Sequence, residues 1–180
     1  ARFCSALDFW VISDHAEAAT PLKWMEAKKA IRQCNAINAN SETPDLISFL
    51  GFEWTQIDPD KENHYGHKNV MFLETDEESV PVMPIGSGGV ATDGMRSVDR
   101  LPVVRSNMLS MALVDFKNRS RYADLITFSE HIVKTEDCLD DFYNPENSCY
   151  FSALTPKDLF TSLDKIESDS IVIPHGNTWG

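Results

Sequence analysis

Apolar and polar positions along the chain alternate between two rhythms. Leu7-Asp8-Phe9-Trp10-Val11-Ile12-Ser13 is a short apolar run rich in β-formers and predicts a buried strand. A helix follows: Thr20 suits its cap and Pro21 its first position, and Trp24, Ala27, Ile31 and Cys34 recur at helical spacing before the pattern fades near Asn38-Ala39-Asn40. Leu46 to Trp54 predicts a second strand, the polar stretch from Gln56 to Tyr65 a loop, and Lys68 to Leu73 a third strand. From Glu74 to about Ser106 the pattern breaks on Pro81, Pro84, Gly86, Gly88 and Gly89, which predicts a long surface excursion. Met108 to Phe116 reads as a helix and Leu125 to Phe128 as a strand. Thr155-Pro156-Lys157-Asp158 has the form of a helix start, with Leu159, Phe160, Leu163 and Ile166 on one face. Ile171-Val172-Ile173 then predicts a buried strand ending at Pro174-His175. No internal repeat is present. The rhythm is that of an α/β fold, with residues 75–150 a poorly patterned insertion.

A chain of 180 residues can bury the core of one domain. It opens on Ala1-Arg2-Phe3-Cys4 and closes at Trp179-Gly180 just past an apolar run, which suggests an internal segment of a longer protein. No apolar run reaches the ~18 residues of a membrane-spanning helix. Sixteen basic against 28 acidic residues give a net charge of −12, which argues against non-specific binding to nucleic acid or anionic membranes. It leaves an anionic substrate open, since bound divalent cations reverse the local sign. Cys4, Cys34, Cys138 and Cys149 are scattered without a C-x-x-C pair, so they read as free buried thiols and leave the redox compartment open.

Working residues of α/β folds cluster where strands end. Asp14-His15 follows the first predicted strand, Glu53 ends the second and His175 follows the last. His67 precedes its strand, but an antiparallel pairing of the second and third strands would set it beside Glu53. Imidazoles and a carboxylate converging on one spot suit zinc, manganese or iron. Asp14 is the expected partner orienting the His15 ring, and His64 a loop residue within reach of substrate. Taken singly, each histidine is more often a hydrogen-bonded structural residue, and Glu53 an ordinary ion-pair partner. His131 has no supporting motif and reads as structural or surface. Gly86-Ser87-Gly88-Gly89 lacks the flanking strand and helix of a phosphate loop and reads as flexible. The Asn118-Arg119-Ser120 glycosylation acceptor is too common to use.

At these residues a family resemblance emerges. Leu7-Asp8-Phe9 running into Val11-Ile12-Ser13-Asp14-His15-Ala16-Glu17 resembles the DF-x-x-x-(S/T)DH-x-E segment of the DUF3604 family, within the PHP (polymerase and histidinol phosphatase) superfamily. Gly51-Phe52-Glu53-Trp54-Thr55, with Gly66 to Phe72, resembles its next block, and Ile173 to Gly180 a third. The resemblance implies a distorted β/α barrel with two or three divalent metal ions (Zn, Mn or Fe) at its strand ends. Glu53 would bridge two ions, His67 and His175 would bind one of them, and His15 a further ion. It further implies hydrolysis of a phosphate ester by a metal-activated water on a small-molecule or ester substrate, and leans towards an exported bacterial protein. The family's opening His-x-His and late Asp-x-His motifs are absent from these residues, so the barrel and its ligand set would be partial. Alternative readings are a non-catalytic metal- or ligand-binding module and an amidohydrolase-like enzyme cleaving C–N bonds. Fold-level likeness does not decide among them.

Overall fold

The structure is a computed structural model describing residues 7–37, 44–138, 141–144 and 149–175. In chain order it comprises β1 (Phe9–Val11), β2 (Asp14–His15), α1 (Pro21–Ala36), β3 (Ile47–Gln56), β4 (Gly66–Phe72), β5 (Gly86–Ser87), α2 (Gly89–Arg96), α3 (Leu101–Val114), α4 (Arg119–Ile132), β6 (Ser152–Ala153), α5 (Pro156–Leu163) and β7 (Ser170–His175). The fold is mixed α/β, built on a curled, half-barrel sheet in the order β1-β3-β4-β7, with β2 also pairing with β3.

The ten-residue β3 organises the sheet. One of its edges takes β1 and then β2, both parallel, and the other takes β4 antiparallel. β4 in turn pairs antiparallel with β7. Between β1 and β2 the chain passes over Gly51, where any Cβ would run into the backbone oxygens of Val70 and Ile12 and the Val11 side chain. A glycine is required there by space. Gly66, which opens β4, has φ of 70°, a left-handed conformation that L side chains rarely adopt.

Strand alternation divides the sheet. Leu50, Phe52 and Trp54 of β3 and Val70 and Phe72 of β4 point to one face and are essentially fully buried. α1 lies against this face, with the Trp24 and Phe52 rings edge-on at 6.3 Å and Phe52 in turn 6.0 Å from Phe72. The α1 cap is as expected: the Thr20 hydroxyl accepts from the Lys23 amide at 3.2 Å, and Pro21 sits at the first turn. α5 begins in a reciprocal capping box between Thr155 and Asp158.

Several expectations are corrected. Leu125 to Phe128 is helical, inside α4, with Leu125, Phe128 and Ile132 spaced three and four apart. A four-residue apolar run carries too little periodicity to separate strand from helix. The stretch from Glu74 to Ser106 is not a bare surface excursion: it holds β5, α2 and the start of α3, and it buries Val80, Met83 and Ile85. Gly86-Ser87 is a strand parallel to β6 and leads directly into α2, and Ser87 is buried instead of lying in a flexible loop. Cys138 and Cys149 are joined in a disulfide, Cys34 is free but exposed, and Cys4 lies outside the described residues. The fading of the first helix at residues 38–40 and the last residues of the third resemblance block, 176–180, also lie outside them. His67 is the second residue of β4 and His175 the last residue of β7, so both belong to strands.

Candidate metal centre

Register alone brings the candidate ligands to one face of the sheet. His15 lies opposite Glu53 across the β2–β3 pair, and Glu53 lies opposite Asn69 across β3–β4. Two residues further along β3, Thr55 lies opposite His67, which lies opposite His175. Cross-strand partners share a face, as do residues two apart on one strand. His15, Glu53, Thr55, His67 and His175 therefore project together, away from the α1 side. Lys68, next in sequence to His67, projects the other way. Its ammonium lies 5.0 Å from the centre of the Trp54 ring, and burial pushes its pKa down.

The side chains meet around the Glu53 carboxylate. Its Oε1 is 2.7 Å from His67 Nδ1 and 3.3 Å from His175 Nε2, whereas Oε2 is 3.8 Å from His15 Nε2. The His67 and His175 rings are stacked with centroids 5.4 Å apart, and His15 meets His67 edge-on at 6.2 Å. Glu53 is largely shielded, with its side chain 14% exposed, while His15 and His175 reach solvent at 56% and 44%. The cluster thus has a protected carboxylate at its base and histidines at its rim.

The donor set suits a divalent cation. Two ligands at ~2.1 Å from one ion lie roughly 3–3.5 Å apart, which matches the separation of Glu53 Oε1 from His175 Nε2. His67 is in direct hydrogen-bonding contact with Glu53. Among the described residues no three His, Cys, Asp or Glu side chains frame a cation position outright, so an ion would enter by separating that contact.

Two residues beyond the expected set support the cluster. The Thr55 hydroxyl lies 3.0 Å from His15 Nδ1 and 3.1 Å from His67 Nδ1, so a single oxygen touches both rings. Glu17, only 4% exposed, directs Oε1 to the amides of Thr55 and Ser87, each at 3.3 Å, and to the Ser87 hydroxyl at 2.9 Å. Its Oε2 has no hydrogen-bond partner among the described residues and lies 3.8 Å from His15 Nδ1. A buried carboxylate oxygen of this kind favours a neighbouring N–H donor. Asp14, expected in that role, is opposite Phe52 and therefore on the other face of β2, where it lines a cleft of about 870 Å³ against α1 and α4. Glu17 is displaced onto the His15 side because the chain tightens into a 3₁₀ turn at Ala16–Ala18. Burial, and then the charge of Glu17, push the Tyr150 phenol well above its ordinary range, so Tyr150 stays protonated.

His64 is drawn back onto its own loop, its Nδ1 accepting from the Asp58 amide at 3.3 Å. His131 is exposed on α4. Asn69, opposite Glu53, accepts a 2.6 Å hydrogen bond from the Ser13 hydroxyl, which ties the β1–β2 connection to the site. No protein-family model, no curated protein and no solved structure matches this chain.

Proposed function

We propose that this chain is part of a metal-dependent hydrolase, a phosphoesterase on a PHP-type barrel, with Glu53, His15, His67 and His175 holding two or three divalent ions. One observation carries the reading: the two oxygens of Glu53 address different histidines, Oε1 facing His67 and His175 and Oε2 facing His15. A carboxylate so divided is suited to bridging two cations, while a lone structural ion pair needs only one of its oxygens. Divalent ions in such a site supply Lewis acidity towards a phosphoryl oxygen and make water more acidic.

The chain's own residues do the positioning. Glu53, shielded at the base, sets the anionic floor, and the histidines supply neutral nitrogen donors at the rim. Thr55 and Glu17 stand behind the His15 ring at Nδ1, opposite the Nε2 that faces Glu53, as second partners of ligating histidines commonly do, and Thr55 also touches His67. The exposed rim leaves the cluster accessible to a small-molecule or ester substrate from the sheet's open side.

Elemental analysis of the protein purified without added metal tests the reading, paired with hydrolysis of a generic phosphodiester. Bound Zn, Mn or Fe together with turnover is expected, and Glu53→Ala should abolish both. Metal content and rate unchanged in that variant would overturn the assignment. Metal bound without turnover on phosphate or amide substrates would convert it to a non-catalytic binding module.

A further inference from the structure

The net charge of −12 is unevenly distributed. Within residues 101–122, Arg105, Lys117, Arg119 and Arg121 stand against Asp115 alone, four basic to one acidic, or +3, with Arg105 and Arg121 ion-paired to Glu130 and Glu26. The remainder of the chain therefore carries −15. This basic segment is the hairpin of α3 and the start of α4, and α3, although mostly apolar, has no buried residue among its 14.

The apolar exposure is greatest at the turn of the hairpin. Leu113 is 82% exposed, Val114 86% and Phe116 64%. Immediately beyond them Lys117 and Arg119 are exposed, the Arg119 guanidinium lying 4.0 Å over the Phe116 ring and donating to the Phe116 carbonyl at 2.9 Å. The one acid at the turn is engaged by the turn itself: Asp115 accepts from Asn118 at 2.9 Å and from Tyr122 at 3.0 Å. The tip therefore presents three apolar side chains beside two exposed cations, Lys117 and Arg119.

We propose that this tip docks the protein on an anionic lipid surface, with Leu113, Val114 and Phe116 entering the interface and Lys117 and Arg119 meeting the headgroups. Large apolar side chains next to Lys and Arg are the combination that binds membrane surfaces. The charge division also orients the approach. An anionic surface repels the acidic remainder of the chain and attracts the exposed Lys117 and Arg119, so the molecule meets it tip first.

Co-sedimentation of the protein with vesicles tests this, using phosphatidylcholine alone or with a quarter phosphatidylglycerol. Binding is expected to the anionic vesicles only, and to be largely lost in about 0.5 M salt, where charge attraction is screened. Lys117→Glu with Arg119→Glu should weaken it about tenfold or more, and so should Leu113→Ser with Phe116→Ser. All four positions are exposed, so circular dichroism should show parental folding in both variants. Binding that is absent, indifferent to lipid charge or unchanged in the tip variants would overturn the proposal. Concentration-dependent self-association without vesicles, abolished by Leu113→Ser with Phe116→Ser, would assign the tip to a second copy of the chain instead.

Discussion

Glu53 and His67 are in direct contact, Oε1 to Nδ1 at 2.7 Å, although neither is the other's register partner. Glu53 is opposite Asn69 and His67 opposite Thr55, so the contact runs diagonally across the β3–β4 pair. Diagonal neighbours on one sheet face are within reach of long side chains. That diagonal, with His175 beside His67 and His15 beside Glu53, gathers four residues spread over 160 positions of sequence into one cluster.

The Thr55 hydroxyl touches the inner nitrogens of both His15 and His67. Thr55→Val keeps the shape of the side chain and removes that contact. Metal affinity should fall about 10–100-fold, read by competition against a chromogenic chelator, with little change in thermal stability. Equal affinity in the variant would show that the hydroxyl does not hold the rings.

Gly51→Ala introduces a Cβ against the backbone of Val70 and Ile12. Backbone atoms inside a sheet cannot withdraw as a flexible side chain does, so the variant should lose about 2–3 kcal/mol in urea unfolding. A loss under a few tenths of a kcal/mol would mean that the β1–β3–β4 packing has slack the structure does not show.

The Cys138–Cys149 disulfide closes a loop with a sequence separation of 11, and the Cys138 amide donates to the Tyr150 carbonyl at 2.8 Å. Replacing both cysteines by serine should cost about 2–3 kcal/mol. Thiol labelling of the native protein should modify Cys34 and spare Cys138 and Cys149 until reductant is added. Labelling of all three without reductant would refute the bridge. Such a bond persists in oxidising compartments.

Lys28 is buried on α1 and paired with the Glu77 carboxylate, which Arg32 also contacts at 2.6 Å. Burial pushes the Glu77 carboxyl up, but hydrogen bonds from Lys28 and Arg32, with their charges, outweigh it and hold it below the ordinary value of 4.5. A carboxyl lowered on folding contributes stability that is complete above its unfolded pKa. That contribution is lost as pH falls through the folded value. Glu77 is half-exposed, so the effect is limited to about 1 kcal/mol. Urea unfolding should show wild type losing this increment from neutral pH to below 4.5, and Glu77→Gln lacking it from the start. Parallel pH profiles for the two proteins would contradict the pairing.

The strand positions of β3, β4 and β7, the capped starts of α1 and α5, and the four histidine and glutamate candidates were legible in the sequence. Those features depend on local alternation, caps and the places where apolar runs stop. The antiparallel pairing that sets His67 beside Glu53 was also inferable, because a short polar loop leaves two strands few other arrangements. Which face of β2 each residue takes was decided only by tertiary structure. Pairing with β3 put His15 with Glu53 and turned Asp14 away, and the 3₁₀ turn brought Glu17 behind the ring. The helical state of Leu125 to Phe128 and the joining of Cys138 to Cys149 were likewise settled by packing between distant segments. Local pattern records which side of a segment is buried, whereas side-chain partners across strands depend on register, and register is a property of the assembled sheet.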